Sequence, residues 1–236
     1  MREFAYEALP GRVVFGVGSL DRLADEVERL GVAKALVLST PQQRQQAEDV
    51  AARLGARSAG VYDKAEMHVP IDVAKAAREE AQRLGADACV AVGGGSTIGL
   101  GKAIALEFGL PIIAVPTTYA GSEMTPIWGL TEDGIKKTGR DNKVLPTTVV
   151  YDPTLTLTLP DFIAGPSGMN AIAHCVEAMY SETANPIISM MAEEGVRSLA
   201  RALPIVVKSP DNIEARSDAL YGAYLSGASL GAVGMA

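Results

Sequence analysis

Ala91-Val92-Gly93-Gly94-Gly95-Ser96-Thr97-Ile98-Gly99-Leu100-Gly101-Lys102 closes an apolar run that begins at Ala88 and opens a segment with helical spacing. A strand that turns through consecutive glycines into a helix forms a natural anion site. Without Cβ atoms the backbone N–H groups can approach a phosphate, and the unpaired first-turn N–H groups and the helix dipole favour negative charge. The spacing matches neither G-x-G-x-x-G nor G-x-x-x-x-G-K-[ST]. Three glycines after a strand also make an ordinary tight turn. Taken alone, the stretch leaves both readings open.

A second stretch of the same kind shifts the balance. Pro111-Ile112-Ile113-Ala114-Val115-Pro116 reads as another buried strand and opens into Thr117-Thr118-Tyr119-Ala120-Gly121-Ser122-Glu123-Met124-Thr125. Hydroxyls and exposed backbone beyond the carboxyl end of a strand suit a diphosphate and a ribose, and open α/β sheets bind ligands at that end. The plainer alternative is a polar loop supplying helix caps. Two adjacent strand exits of this composition favour binding.

Outward from these loops, short apolar runs alternate with helical patterns. Val13-Val14-Phe15 precedes a helical face from Leu20 to Leu30, with Ser19 as a candidate N-cap and Gly31 as a candidate stop. Strand-like Ala35–Leu38, helix-like Gln42–Leu54, strand-like Ser58–Tyr62 and a helix from Ile71 to Leu84 lead to the first glycine loop. This alternation predicts βαβ units and a parallel sheet. Thr147–Tyr151 reads as a β-branched strand, after which Gly165–Tyr180, Pro186–Arg201 and Ile213–Ala228 read as helices. The expectation is a Rossmann-like α/β domain over residues 1–159, followed by an incomplete all-helical domain over residues 160–236.

Composition excludes several function classes. At 236 residues and 48% hydrophobic, the chain can bury a sizeable core. A net charge of −7 offers no basic surplus for nucleic acid. Its apolar runs are too short to span a bilayer, and Met1-Arg2-Glu3-Phe4 does not open a signal peptide. Cys89 and Cys175 fall in core patterns and build no disulfide framework, which predicts a cytoplasmic protein.

The helical half contributes Gly168-Met169-Asn170-Ala171-Ile172-Ala173-His174. Asn170 and His174, four apart, project from one helix face. An acidic residue with His at this spacing would be half of a metal site, but Asn is a neutral and poorer ligand. His68, the other histidine, lies in a predicted loop. A lone helix histidine is more often a packed residue than a ligand, and the sequence predicts no metal site.

Together these motifs resemble the iron-containing (group III) alcohol dehydrogenase superfamily and, within it, the maleylacetate reductases. The resemblance is carried by Phe15-Gly16-Val17-Gly18-Ser19-Leu20, by the two glycine- and hydroxyl-rich loops, by Val150-Tyr151-Asp152-Pro153, by Leu159-Pro160 and by Gly168–His174. The metal-dependent members carry Asp where this chain has Asn170, and another Asp near Gly99-Leu100-Gly101. The resemblance therefore implies a metal-free enzyme in which NADH or NADPH reduces maleylacetate, a small dicarboxylate, to 3-oxoadipate in aromatic-compound catabolism. It implies cofactor binding by Ser39, Gly93, Gly94, Gly95, Ser96, Thr97, Thr117, Thr118 and Ser122. It assigns catalysis to His174 and Asn170, and implies a homodimer. Where NAD-specific relatives place Asp after the second strand, this chain has Ser39-Thr40-Pro41, so NADPH should be tolerated. Family members continue past Ala236, so the resemblance also implies a C-terminally truncated chain with an exposed apolar face between Asp218 and Met235. A metal-dependent dehydrogenase of the same fold and a non-catalytic nucleotide-binding fragment remain the alternatives.

Overall fold

A computed structural model describes residues 3–234. The chain forms two compact units. One contains Gly11–Pro116 and Pro126–Tyr151; the other gathers the residues up to Pro10, Thr117–Thr125 and the chain from Asp152 onward. The helical unit thus begins at Asp152 rather than residue 160, and it also claims the loop that follows the fifth strand.

The first unit is the α/β one. Its strands are β1 (Arg12–Phe15), β2 (Ala35–Leu38), β3 (Ser58–Tyr62), β4 (Ala88–Gly93), β5 (Ile112–Pro116), the hairpin pair β6 (Ile127–Glu132) and β7 (Ile135–Arg140), and β8 (Thr148–Tyr151). Six of them make a parallel sheet in the order β1-β8-β5-β4-β2-β3. β2, β4, β5 and β8 are buried along their whole lengths, as continuous apolar runs covered on both faces should be. Helices α1 (Leu23–Arg29), α2 (Arg44–Leu54), α3 (Ile71–Leu84) and α4 (Gly95–Phe108) connect the strands. From β2 the chain runs outward to β3, whereas from β4 it runs the other way to β5. The strand order therefore reverses between β2 and β4, where a parallel sheet opens a ligand crevice at its carboxyl edge.

Local chemistry moves some expected boundaries. The helix expected from Leu20 starts at Leu23, after a 3-10 turn over Ser19–Arg22. Ser19 is not an N-cap, because its hydroxyl donates to the Tyr151 carbonyl at 2.9 Å, a bond to β8. Gly31 does end the helix, at φ 70°, with Val32 N–H returning to the Val27 carbonyl at 3.2 Å. The β6–β7 hairpin was not expected from the sequence. Its turn places Asp133 at φ 51° and Gly134 at φ 73°, as a type I′ turn requires.

The second unit is built on α5 (Asp161–Tyr180), α6 (Pro186–Lys208) and α7 (Ile213–Ala232). α5 starts four residues earlier than expected, because the Pro160 carbonyl accepts from Ile163 and Ala164 N–H groups at 2.9 and 2.8 Å. Glycines let the helices approach closely: a Cβ on Gly168 would lie 2.3 Å from Leu203 Cδ2, and one on Gly222 2.6 Å from Leu199 Cγ. The exposed apolar face expected after Asp218 is not found over the described part of α7, whose Ala219, Leu220, Ala223, Leu225 and Leu230 are buried. Exposed large apolar side chains occur on all three helices, among them Phe162, Met169, Val176 and Tyr180 on α5, Met190 and Val207 on α6, and Tyr221 on α7. Among the described residues, no helix is long and apolar enough to cross a membrane.

Candidate functional site

At the carboxyl end of β4 the backbone leaves the strand through Gly93 at φ 153°, a conformation that L side chains rarely adopt. Space is equally restrictive, since a Cβ there would lie 2.4 Å from Thr97 Oγ1 and 2.8 Å from Gln43 Oε1. Gly94 then caps α4 without a side chain, and the first helical bond runs from Ile98 N–H to the Gly94 carbonyl at 3.1 Å. The N–H groups of Gly95, Ser96 and Thr97 precede that bond, so helix geometry leaves them without an intrahelical acceptor. No acidic residue occupies this first turn. The arrangement is an anion cradle.

Two hydroxyls reinforce it. Thr97 and Ser39 are fully buried, and neither Thr97 Oγ1 nor Ser39 Oγ has a hydrogen-bond partner. An orphaned buried hydroxyl costs free energy, and a cradle that accepts a polar ligand is where such groups persist. Ser39 follows β2, where its N–H donates to the Tyr62 carbonyl and its carbonyl accepts from Ala65 N–H, both at 3.0 Å. β2 and β4 pair directly, with Leu38 opposite Ala91, so Ser39 and Gly93 share one edge of the sheet. The sequence reading missed Gln43, whose amide stands beside Gly93. Nothing in the local sequence marks that residue, because the approach exists only once β2 and β4 are paired.

The loop after β3 borders the same edge. His68 and Val69 sit at φ 63° and 47°, which is costly for a β-branched valine. Thr131 of β6 holds both, its hydroxyl donating to the His68 carbonyl at 2.9 Å and its N–H to the Val69 carbonyl at 3.1 Å. Val69 is buried, and its Cγ2 would lie 2.8 Å from a Cβ on Gly99 of α4. Gly99 is therefore needed for packing against this loop.

The remaining predicted site residues belong to the helical unit. Thr117 is buried, Thr118 and Ser122 are half-buried, and all three lie in one loop that turns at Gly121, φ 81°. Asn170 and His174 are neighbours on α5, with Asn170 Nδ2 at 3.4 Å from His174 Nε2. His174 Nδ1 is buried and has no partner. Burial holds the imidazole below its usual pKa, against a smaller opposing pull from Glu177, so it is neutral at neutral pH. A neutral imidazole with an unspent ring nitrogen can donate or accept a proton within reach. Cys89 and Cys175 are buried free thiols, with Cys89 pushed up to about 12 by desolvation, so neither is a nucleophile.

Residues 10–153 match the iron-containing alcohol dehydrogenase family, and residues 165–236 match its C-terminal family. A maleylacetate reductase from Burkholderia cepacia is 59% identical over 235 residues, which is 100% of this chain and 67% of that protein. One from Sphingobium indicum is 56% identical over 99% of this chain and 66% of that protein. The crystal structure of maleylacetate reductase from Agrobacterium tumefaciens superposes with a TM-score of 0.98 at 54% identity, covering 100% of this chain and 67% of that one. Sulfoacetaldehyde reductase from Bifidobacterium kashiwanohense in complex with NAD+ gives a TM-score of 0.90 at 25% identity, covering 97% of this chain and 67% of that one. The chain thus spans about two thirds of the length of these relatives.

The family name implies iron. Asn170 is a neutral amide beside His174, and among the described residues no three His, Cys, Asp or Glu side chains converge as a metal would require. Asn170 is thus a poorer iron donor than a carboxylate would be, and the expectation of a metal-free protein stands against the family name.

Proposed function

Because the chain belongs to the iron-containing alcohol dehydrogenase family, we propose that it reduces maleylacetate to 3-oxoadipate with NADH or NADPH and without a metal. The observation that carries the nucleotide part is the side-chain-free N-terminus of α4, entered through Gly93 and flanked by the unpartnered hydroxyls of Ser39 and Thr97. The substrate follows the maleylacetate reductases that the chain resembles at 50–60% identity.

When bound, the dinucleotide supplies a hydride. The chain's own residues do the rest. Gly94, Gly95 and Ser96 present backbone N–H groups to the diphosphate, while Thr117, Thr118 and Ser122 offer hydroxyls to the ribose and nicotinamide part. Reduction of a carbon–carbon double bond conjugated to a ketone needs one hydride and one proton, and negative charge builds on the carbonyl oxygen between the two. Neutral His174, oriented by Asn170, is the group proposed to supply the hydrogen bond or proton. No carboxylate stands at Ser39-Thr40-Pro41 to repel a 2′-phosphate, so NADH and NADPH should both bind. The homodimer expected from the family is proposed to use the outer side of β1, the edge strand of the sheet.

The test is calorimetric titration of NADH and NADPH into the protein and into Gly93→Ala, followed by turnover of maleylacetate after EDTA treatment. Gly93→Ala should weaken both nucleotides by at least about 30-fold, because an added Cβ fills the cradle at a left-handed φ. Unchanged affinity would remove the diphosphate assignment. Nucleotide binding without turnover would favour a binding module, and rescue of turnover by added iron or zinc a metal-dependent dehydrogenase.

A further inference from the structure

Arg216, on α7, is the largest fully buried side chain among the described residues. A guanidinium taken out of water normally brings a carboxylate with it. Among the described residues Arg216 forms no ion pair. Its donors go to neutral oxygens: Nε to the Pro210 carbonyl at 2.9 Å, Nη1 to the Tyr119 hydroxyl at 3.4 Å and Nη2 to the Leu159 carbonyl at 3.5 Å. The three acceptors come from three separate segments of one unit. Tyr119 is itself fully buried and stands in the middle of the Thr117–Thr125 loop.

A second set of contacts seats the same loop on the same helix. A Cβ on Gly227 would lie 2.5 Å from the Gly121 carbonyl oxygen, and one on Gly231 would lie 2.5 Å from the Met124 carbonyl oxygen. Backbone rests on backbone at both places, so the loop has no room to shift along α7. Although it leaves directly from β5, the loop clusters with the helices rather than with the sheet.

We propose that Arg216 is a positioning residue for nucleotide binding: through the Tyr119 hydroxyl it locks the Thr117–Thr125 loop to α7, and so fixes Thr117, Thr118 and Ser122. This rests on the reading that the loop meets the ribose and nicotinamide. Five donors in a rigid plane let one side chain tie the loop, the Leu159 carbonyl and the Pro210 carbonyl together, which neither Lys nor an apolar residue of the same length can do. Gly121, Gly227 and Gly231 set the distance of the loop from the helix, and Arg216 sets its orientation.

The experiment compares Tyr119→Phe, Arg216→Met and Arg216→Lys with Leu199→Ala, a packing change in the same unit at the α6–α7 contact. Hydrogen exchange across residues 117–125, NADH affinity, kcat and thermal midpoint are read for each. Tyr119→Phe and Arg216→Met should speed exchange in the loop and raise the NADH Kd by about fivefold, the loss of one hydrogen bond's worth of ordering. Arg216→Lys should recover part of both. Leu199→Ala should lower the thermal midpoint at least as far with neither effect. Loop exchange that is unchanged in Tyr119→Phe, or that rises equally in Leu199→Ala at matched stability, overturns the proposal. If the unaltered protein does not bind NADH, the nucleotide reading falls, while loop exchange still decides the clamp. Should Arg216→Met fail to fold, Tyr119→Phe decides alone.

Discussion

His174 and Asn170 stand one turn apart on α5, and their four-residue spacing in the sequence is sufficient to pair them. What spacing could not supply is the state of the imidazole. Burial favours its neutral form, and Nδ1 is left without a partner. A neutral, unsatisfied imidazole is poised to hydrogen-bond an incoming oxygen. His174→Ala is therefore expected to cut kcat by roughly 100-fold or more while leaving the NADH dissociation constant within about twofold. Single-turnover and binding measurements on the same preparation check this. Survival of kcat, or an equal loss of NADH affinity, would move the proton-donor role elsewhere. Gln43 teaches the opposite lesson about legibility. Its amide reaches Gly93 only because β2 and β4 are neighbours, so no window of sequence around it carries the signal.

At the scale of elements, the parallel sheet was readable because its four central strands are uninterrupted apolar runs and because turn chemistry separates them from helices. β6 and β7 escaped notice because β7, Ile135-Lys136-Lys137-Thr138-Gly139-Arg140, is exposed and holds only one large apolar residue. The Asp133-Gly134 turn was the available cue. Edge strand β1 is apolar in Val13, Val14 and Phe15 but largely exposed, and a charge cluster reinforces its backbone pairing with β8. Arg12 of β1 grips Glu26 of α1 through Nε at 2.7 Å and Nη2 at 2.9 Å, while Arg29 adds Nε at 2.9 Å and reaches Thr148 of β8 at 2.9 Å. The Arg12 hydrogen bond holds the Glu26 carboxyl below its ordinary range, with desolvation opposing and Arg29 assisting. A carboxyl whose folded pKa is lowered contributes stability that is complete above its unfolded value, about 4.3. That contribution is lost as pH falls through the lower folded value. Glu26→Gln should therefore cost about 2 kcal/mol at pH 7 and flatten the loss of stability below pH 4.3. Urea unfolding between pH 3 and 7 reads both effects. Parallel pH profiles for the two proteins would show that Glu26 is not the group that titrates.

Across the whole molecule, the compact units divide the chain at other places than a single cut at 159/160. Thr117–Thr125 joins the helical unit through Gly227 and Gly231, about a hundred residues downstream, and glycines inside a helix read from sequence only as weak helix formers. The sole tryptophan, Trp128, lies in the sheet unit, packed over Gly139 in the hairpin, where it reports on that unit's unfolding. A ligand that binds only the folded state adds RT ln(1 + [L]/Kd), about 2.7 kcal/mol at a hundredfold excess over Kd. For a chain of this size each kcal/mol raises the midpoint by about 2–4 °C. NADH at that excess should raise the Trp128-detected midpoint by roughly 5–10 °C, and Gly93→Ala should abolish most of the rise. Metal obeys the same linkage. If the fold held a bound ion, stripping it with EDTA would lower the midpoint, because metal binding is coupled to folding. With Asn170 rather than a carboxylate beside His174, the EDTA-treated and untreated proteins should melt within about 1 °C of each other and turn over alike. A lower midpoint after EDTA, restored by iron or zinc, would place the chain among the metal-dependent members of its family and overturn the metal-free reading while leaving the nucleotide cradle in place.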